Sequence, residues 1–333
     1  METTSREQAR LDWTRAALGD RSATLERASA DASFRSYWRA RSHGDTHILM
    51  DAPPDREDLG PWLEIASRLV GAGLLAPRVL ASDAEHGFIL MSDLGDALYL
   101  PALNADSASP LYDDAMRALL RMQTTVDASD LPPYDEGRLV AEMELMPTWF
   151  LERHLGFASD CGQWDVVEVA FRTLAESALR QEQVFVHRDF HSRNLLLAET
   201  GGPGILDFQD AVRGPITYDL VSLLRDCYIE WPEAQVLGWA EQYRQQLVSA
   251  GLTRVDAATF RRGFDLMGLQ RHIKVLGIFC RLWYRDGKAG YLQDLPLVWK
   301  YVRDVGQRYA EIAPLVALVE TAMRGRDISL PSA

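Results

Sequence analysis

The first part of the chain combines two helical patterns with several strand-like runs. Apolar positions at helical spacing predict helices over residues 4–18 and 55–73, each ended by glycine. Short segments rich in β-branched or aromatic residues predict five strands, at 23–29, 34–41, 46–51, 78–82 and 87–92. The order helix, three strands, helix, two strands is typical of a small α+β unit.

Helical periodicity dominates the chain beyond about residue 96. The pattern predicts six long helices, at 111–126, 138–155, 164–182, 233–250, 256–284 and 294–324. Only residues 184–208 return to short apolar runs. We therefore predict an α+β bilobal protein with a small lobe at residues 1–95, a hinge near 91–96 and a mainly helical lobe at residues 96–333.

Composition and charge exclude several classes of protein. The chain has 333 residues, of which 47% are hydrophobic and 25% charged, as in globular proteins. A net charge of -13 disfavours nucleic acid, which needs a basic face. The N-terminus lacks a signal-peptide pattern, no apolar run reaches the roughly 18 residues that span a bilayer, and three widely spaced cysteines suggest reduced core thiols. We expect a cytoplasmic protein without membrane contact and without an obligate protein partner.

Residues 187–194, the motif loop, carry the chemistry. They contain the pattern H-x-D-x-x-x-x-N, and Asp207 follows at the end of a short apolar run. Phosphoryl transfer requires a positioned nucleophile and neutralised phosphate charge more than covalent chemistry by the protein. Asp189 can accept the proton of a hydroxyl, whereas Asn194 and Asp207 are oxygen ligands suited to Mg²⁺ on ATP phosphates. The motif therefore predicts an enzyme that uses ATP and Mg²⁺, with His187 supporting the loop.

At these residues the chain resembles the aminoglycoside phosphotransferase and choline kinase branch of the protein-kinase-like fold. The resemblance implies an ATP-binding lobe of five strands and one helix, in agreement with the pattern described above. It also implies that Asp219, in the segment 214–220, braces the motif loop. Nucleotide contacts are expected from the loop between the first two strands and from the hinge: Ser33, Phe34, Arg35, Met91, Asp93 and Leu94.

Five blocks are more specifically similar to bacterial anomeric sugar kinases, which phosphorylate N-acetylmuramate and N-acetylglucosamine. The blocks lie at residues 31–35, 50–54, 93–96, 205–211 and 268–277. The implied reaction yields a sugar α-1-phosphate in cell-wall recycling. An aminoglycoside or other small-molecule phosphotransferase is the alternative of the same class, and a kinase-like binding module without catalysis is the alternative of another class.

The chain departs from the wider fold on its third predicted strand. Protein kinases place there a lysine that holds the nucleotide phosphates, but the lysines of this chain all lie at or after Lys274. Either an arginine such as Arg35, Arg39 or Arg41 supplies this charge, or the metal carries more of it. The loop between the first two strands also lacks glycine.

The predicted acceptor site combines basic and carbohydrate-stacking residues. Residues 261–288 contain eight basic side chains against two acidic ones. Such a local cluster favours an acceptor with a carboxylate, as in N-acetylmuramate, over a polycationic aminoglycoside, unless it is a solvated helix face with ion pairs. The predicted acceptor-binding residues are His191, Arg193, Glu144, Trp149, Arg271, His272 and Lys274, with Glu142 on the same helix as Glu144.

Overall fold

The computed structural model describes residues 2–30, 34–198, 202–288 and 290–331. The chain divides into two compact units. Unit 1 comprises Met1–Val126 and Arg193–Asp210, and unit 2 comprises Asp127–Ser192 and Ala211–Ala333. These segments are not the same as the predicted lobes, and the lobe boundary at residue 95 stays a prediction.

Unit 1 contains a five-stranded antiparallel sheet in the order β1-β2-β3-β5-β4. Its strands are β1 (Thr24–Ala30), β2 (Ser36–Ser42), β3 (Asp45–Asp51), β4 (Val79–Asp83) and β5 (Phe88–Ser92). The β2–β3 hairpin turns through His43 and Gly44, both with positive φ, as a two-residue hairpin of type I′ requires. The predicted α+β fold class is confirmed.

Two helices pack with this sheet in unit 1. The first, α1 (Glu2–Leu18), is tied to the end of β3 by Arg10, whose Nη1 lies 2.9 Å from the Asp51 carboxylate. The second, α2 (Gly60–Gly71), begins next to a proline and buries Trp62, Ile65, Ala66 and Leu69, which share one helix face. Both helices were predicted from their apolar spacing.

Unit 1 is completed by residues from two distant parts of the chain. Helices α3 (Tyr99–Ala102) and α4 (Ala108–Thr125) follow β5, and the short hairpin of β7 (Leu195–Leu196) and β8 (Gly204–Ile205) joins them later in the sequence. Backbone hydrogen bonds attach this hairpin to unit 1, from Leu197 N to Ala97 O at 2.7 Å and from Ile205 N to Leu75 O at 2.8 Å. Asn194 and Asp207 flank the hairpin.

Unit 2 is mainly helical. A short antiparallel pair, β6 (Gln183–Val186) and β9 (Val212–Pro215), accompanies seven α-helices, one π-helix and one 3₁₀ turn among the described residues. These are α5 (Glu136–Met143), a π-helix (Met146–His154), α6 (Cys161–Leu179), α7 (Tyr218–Leu224), α8 (Glu233–Ser249), α9 (Ala257–Tyr284), a 3₁₀ turn (Tyr291–Asp294), α10 (Leu295–Gly306) and α11 (Ala313–Met323). Helix α9 is buried almost continuously from Phe264 to Gly277, so it forms the centre of this unit.

Some predicted elements of unit 2 differ from the observed ones. The helix predicted over 138–155 is interrupted after α5, where α9 approaches so closely that a Cβ on Gly277 would lie 2.3 Å from the Leu145 carbonyl carbon. The helix predicted over 294–324 is divided at 307–312. Cys161 is exposed at the start of α6, so the prediction of a core thiol is wrong for this cysteine. In the described ranges, no helix is long and apolar enough to span a membrane.

Candidate active site

The motif loop begins directly after β6, and a buried carboxylate contacts its first residues. Asp219, in the first turn of α7, accepts hydrogen bonds from the backbone N–H of His187 at 2.6 Å and of Arg188 at 3.0 Å. Arg188 has a φ of 77°, a left-handed conformation that costs energy for a residue with a side chain. The buried ring of His187 meets Phe190 edge-on at 5.7 Å. The start of the loop is therefore held by backbone and ring contacts.

Asp189 is partly buried among cationic groups of unit 2. Burial raises the pKa of its carboxyl, but the charges of Lys274, His191, Arg271 and Arg188 outweigh that effect and hold the pKa below its usual range. The Asp189 side chain is therefore a carboxylate at neutral pH. An ionised carboxylate in this position can accept a hydrogen bond from a hydroxyl group and, during a reaction, its proton.

The cations near Asp189 are themselves neutralised by Glu142 on α5. Lys274 Nζ lies 3.0 Å from a Glu142 oxygen and 3.2 Å from the Tyr218 hydroxyl. Arg188 forms an ion pair with the same carboxylate, and the Tyr134 hydroxyl donates to it. Burial raises the pKa of Glu142, but the charges of Lys274 and Arg188 outweigh this effect and hold the pKa below its usual value, so the carboxyl stays ionised. The surroundings of Asp189 are thus rich in charge without a large cationic excess.

The end of the motif loop within unit 2 has a second buried carboxylate. Asp226 accepts hydrogen bonds from Ser192, from its backbone N at 3.0 Å and from its hydroxyl at 2.5 Å. Next to it, Cys227 Sγ lies 3.4 Å from Nη1 of the buried Arg271. Asp226 was not predicted from the sequence, although an acidic residue shortly after the mainly apolar stretch 220–224 is a signal that points to it.

The predicted acceptor residues do not share one environment. Arg271 and Lys274 lie three residues apart on α9, and the charges of both lower the pKa of the Asp189 carboxyl. His272 is buried on another side of the helix, where its Nε2 lies 2.9 Å from the Arg225 carbonyl and its ring stacks on Tyr301. Burial lowers the pKa of His272 to about 3, so it is neutral.

Other predicted acceptor residues, and most of the basic residues on α9, lie in packing or surface contacts. Trp149 packs against the core of unit 2, whereas Glu144 is exposed at the end of α5. Arg262 pairs with Glu311 and Arg285 with Asp286 in exposed ion pairs. The basic residues of 261–288 are therefore dispersed, and only part of them surrounds Asp189.

Unit 1 contains a cavity of about 460 Å³, a size typical of small-molecule sites. Its lining brings together the sheet, the segment 91–96, the end of the motif loop and the segment 206–208. Of the predicted site residues, the lining includes Met91, Asp93, Leu94, Arg193, Asn194 and Asp207. Phe34 lies in the loop before β2, 60% exposed, with the Arg56 guanidinium 4.7 Å above its ring. Ser33 lies outside the described residues.

Two oxygen-bearing side chains meet beside this cavity. Asn194 Nδ2 lies 3.3 Å from Asp207 Oδ2, and Gln209 Nε2 donates to Asp207 Oδ1 at 3.0 Å. Asp207 has a φ of 62°, so its backbone is held in a left-handed conformation. An amide oxygen and a carboxylate fit Mg²⁺, which keeps several waters and phosphate oxygens in its shell. No cluster of three or more His, Cys, Asp or Glu residues suited to a metal occurs in the part of the chain that the structure describes.

The three candidate arginines have different partners in unit 1. Arg35 is nearly buried, and its Nη2 lies 3.7 Å from Asp207 Oδ1. Arg39 Nε lies 2.6 Å from Asp93 of the hinge. Arg41 is more than half exposed and pairs with Glu26. Of the three, Arg35 forms an ion pair with a candidate metal ligand, Asp207.

Comparisons with known proteins agree with this description. The model of the phosphotransferase enzyme family (APH) matches residues 24–257. The chain is 43% identical over 303 residues to an N-acetylmuramate/N-acetylglucosamine kinase of Pseudomonas putida, covering 91% of this chain and 89% of that protein. It is 41% identical over 314 residues to a protein of the same name from Neisseria meningitidis, covering 92% and 93%. The fold is similar to that of the ADP-bound aminoglycoside phosphotransferase APH(2'')-Ib, with a TM-score of 0.59 at 14% identity, covering 90% of this chain and 97% of that one.

Proposed function

The chain belongs to the phosphotransferase enzyme family, and from this premise we propose that it transfers the terminal phosphoryl group of ATP to the anomeric hydroxyl of N-acetylmuramate and N-acetylglucosamine. Membership confirms the expectation of an enzyme. The proposal rests above all on the identity of 41–43% to kinases of these two sugars across about nine-tenths of the chain. The proposed product is the sugar α-1-phosphate.

ATP is proposed to occupy the cavity of unit 1. In support, the lining of the cavity is mostly apolar as a whole and carries polar groups at Asn194 and Asp207, as an adenine and a phosphate chain would require. Asn194 and Asp207 would hold Mg²⁺ through their side-chain oxygens. The metal, when bound, would neutralise charge on the phosphate oxygens.

Arg35 is proposed to supply the cationic charge that a strand lysine supplies in protein kinases. Its guanidinium already faces the carboxylate of Asp207, and its side chain is only 9% exposed, so its field is weakly screened by water. A planar guanidinium can also bind two phosphate oxygens at once. Arg39 is a weaker candidate, because Asp93 neutralises it at 2.6 Å.

Asp189 is proposed as the base that accepts the proton of the acceptor hydroxyl. The low pKa of its carboxyl keeps it ionised and limits its basicity. A hemiacetal hydroxyl is more acidic than an ordinary alcohol, and its proton can leave as the phosphoryl group arrives. A weak base is therefore sufficient for this acceptor.

Arg271 and Lys274 are proposed to contact the acceptor, together with His191. Because Lys274 already forms an ion pair with Glu142, Arg271 is the cation best suited to the carboxylate of N-acetylmuramate. Because the charges around Asp189 nearly balance, a neutral acceptor such as N-acetylglucosamine is compatible with the same groups. This balance supports two acceptors that differ by one carboxylate.

A coupled assay of ADP release tests the proposal with three acceptors: N-acetylmuramate, N-acetylglucosamine and kanamycin. We expect turnover of both amino sugars and a product whose phosphorus signal couples to the anomeric proton in NMR. Turnover of kanamycin alone would refute the sugar-kinase function. ADP release that survives Asp189→Asn unchanged would remove the proposed base, and Ser222→Ala on α7 serves as a control for the fold.

A further inference from the structure

The motif loop is held by two aspartates of one short stretch of chain. Asp219 lies in the first turn of α7 and binds the backbone of His187 and Arg188. Asp226 lies two residues beyond the end of the same helix and binds Ser192. Asp189 therefore sits between two points that are fixed to the two ends of one helix.

The contact of Asp226 with Ser192 is buried and charge-assisted. Asp226 is 1% exposed and Ser192 is fully buried. One carboxylate oxygen accepts both hydrogen bonds of Ser192, at 3.0 Å from its nitrogen and at 2.5 Å from its hydroxyl, and the other accepts from the Tyr228 nitrogen at 3.3 Å. Hydrogen bonds to a charged acceptor are stronger than those between neutral groups, so this contact fixes the loop firmly.

The two residues after Asp226 contact two of the cationic groups around Asp189. Cys227 Sγ lies 3.4 Å from Arg271 Nη1, and the Tyr228 ring meets the His191 ring edge-on at 5.6 Å. Arg271 and His191 both lower the pKa of the Asp189 carboxyl. Each side chain of the segment 226–228 thus contacts a different part of the surroundings of Asp189.

We propose that Asp226 is a positioning residue for the phosphoryl transfer, acting through Ser192 to fix Asp189. The proposal rests on the proposed function, because it concerns the base of that reaction. Its physical basis is that a misplacement of about 1 Å at a reacting group can cost roughly 100-fold in rate. Asp219 anchors the loop only at its start, whereas Asp226 anchors the residues that follow Asp189.

Kinetics on the full chain test this role with Asp226→Asn and Ser192→Ala. We expect kcat with N-acetylglucosamine to fall about 10- to 100-fold in Asp226→Asn, with KM for ATP and sugar changed less than about threefold. Ser192→Ala keeps the backbone N–H contact and should show a smaller loss of kcat. The double variant should be no slower than Asp226→Asn, because both changes remove the same contact.

Ser222→Ala is the matched control. Ser222 is also a fully buried serine, and it lies on α7, but its hydroxyl has no hydrogen-bond partner among the described residues. Its removal should leave kcat unchanged. Threonine at position 192 retains the hydroxyl, so Ser192→Thr should recover most of the kcat that Ser192→Ala loses.

Hydrogen exchange separates the loop contact from the reaction. In Asp226→Asn the peptide that covers residues 187–192 should exchange at least about tenfold faster, whereas peptides of α9 should not change. If the unmodified chain turns over neither sugar, the proposed function is overturned. The hydrogen-exchange result still decides, in that case, whether Asp226 holds the loop. With an active unmodified chain, wild-type kcat or wild-type exchange in Asp226→Asn overturns the positioning role.

Discussion

Replacement of Arg35 offers a sharp test of how this enzyme binds nucleotide without a strand lysine. In Arg35→Ala the guanidinium that lies 3.7 Å from Asp207 is lost, and the side chain that carries it is only 9% exposed. Hydrogen bonds to charged groups are worth about 1.5–3 kcal/mol when solvent screens them little. If Arg35 binds phosphate, its loss should weaken nucleotide binding roughly 10- to 150-fold.

The conservative variant Arg35→Lys shows how much of the nucleotide affinity depends on the positive charge and how much on the planar shape of the guanidinium. Arg35→Lys keeps the positive charge but cannot bind two oxygens in one plane, so about a tenth of the wild-type affinity should remain. Arg41→Ala is the matched control, because Arg41 lies on β2, which Arg35 directly precedes, but is 56% exposed and pairs with Glu26. We expect this control to bind nucleotide within about twofold of the unmodified chain.

Calorimetric titration of ADP in the presence of Mg²⁺ measures these affinities directly, with thermal melting as a check on the fold. Unchanged ADP affinity in Arg35→Ala, together with a loss in Arg39→Ala, would refute the reasoning and assign the charge to Arg39. Unchanged affinity in both variants would mean that the metal carries the charge.

Three further predictions address the metal, the acceptor and the pH dependence. Asp207→Asn should raise the Mg²⁺ concentration for half-maximal activity at least about tenfold, measured by Mg²⁺ titration of ADP release, and an unchanged value would exclude Asp207 as ligand. Arg271→Ala should raise KM for N-acetylmuramate about tenfold more than KM for N-acetylglucosamine, whereas equal changes would indicate a structural role. Burial raises the pKa of Asp219 to about 7, so the folded chain gains a proton there that the unfolded chain has lost above about pH 4. This group's contribution to stability is therefore lost as pH rises to about 7. In urea unfolding, the free energy of unfolding of Asp219→Asn should increase relative to that of the unmodified chain between pH 5 and 8. A difference that does not change with pH would contradict this prediction.

The elements of unit 1 could be predicted because their patterns are regular. The strands of its sheet are exposed on part of their surface, and α2 shows a clear apolar face with Trp62 and Leu69. By contrast, α7 is buried on all sides, so it has no amphipathic period and was not predicted. The break between α5 and the π-helix depends on the approach of Gly277, which no local pattern encodes.

The same distinction holds for the candidate site. The spacing of Asp189, Asn194 and Asp207 is local in sequence and was visible without a structure. The ion pair of Glu142 with Lys274 joins residues 132 positions apart. It makes the site less cationic than the number of basic residues in 261–288 suggested. Which arginine faces Asp207 also depends on the fold of the sheet.

The discontinuity of unit 1 has a consequence for how the chain folds during its synthesis. Its first segment ends at Val126, but its second segment, which contains the hairpin that bonds to Leu75 and Ala97, is complete only at Asp210. At about 5–20 residues per second, a ribosome takes roughly 4–17 s to produce the residues between these points. During that interval the sheet has emerged without its last partner, while the first helices of unit 2 are already being made. The two units must therefore mature in an interleaved order, and a pause in translation before residue 210 would leave the nucleotide cavity without the residues proposed to hold the metal.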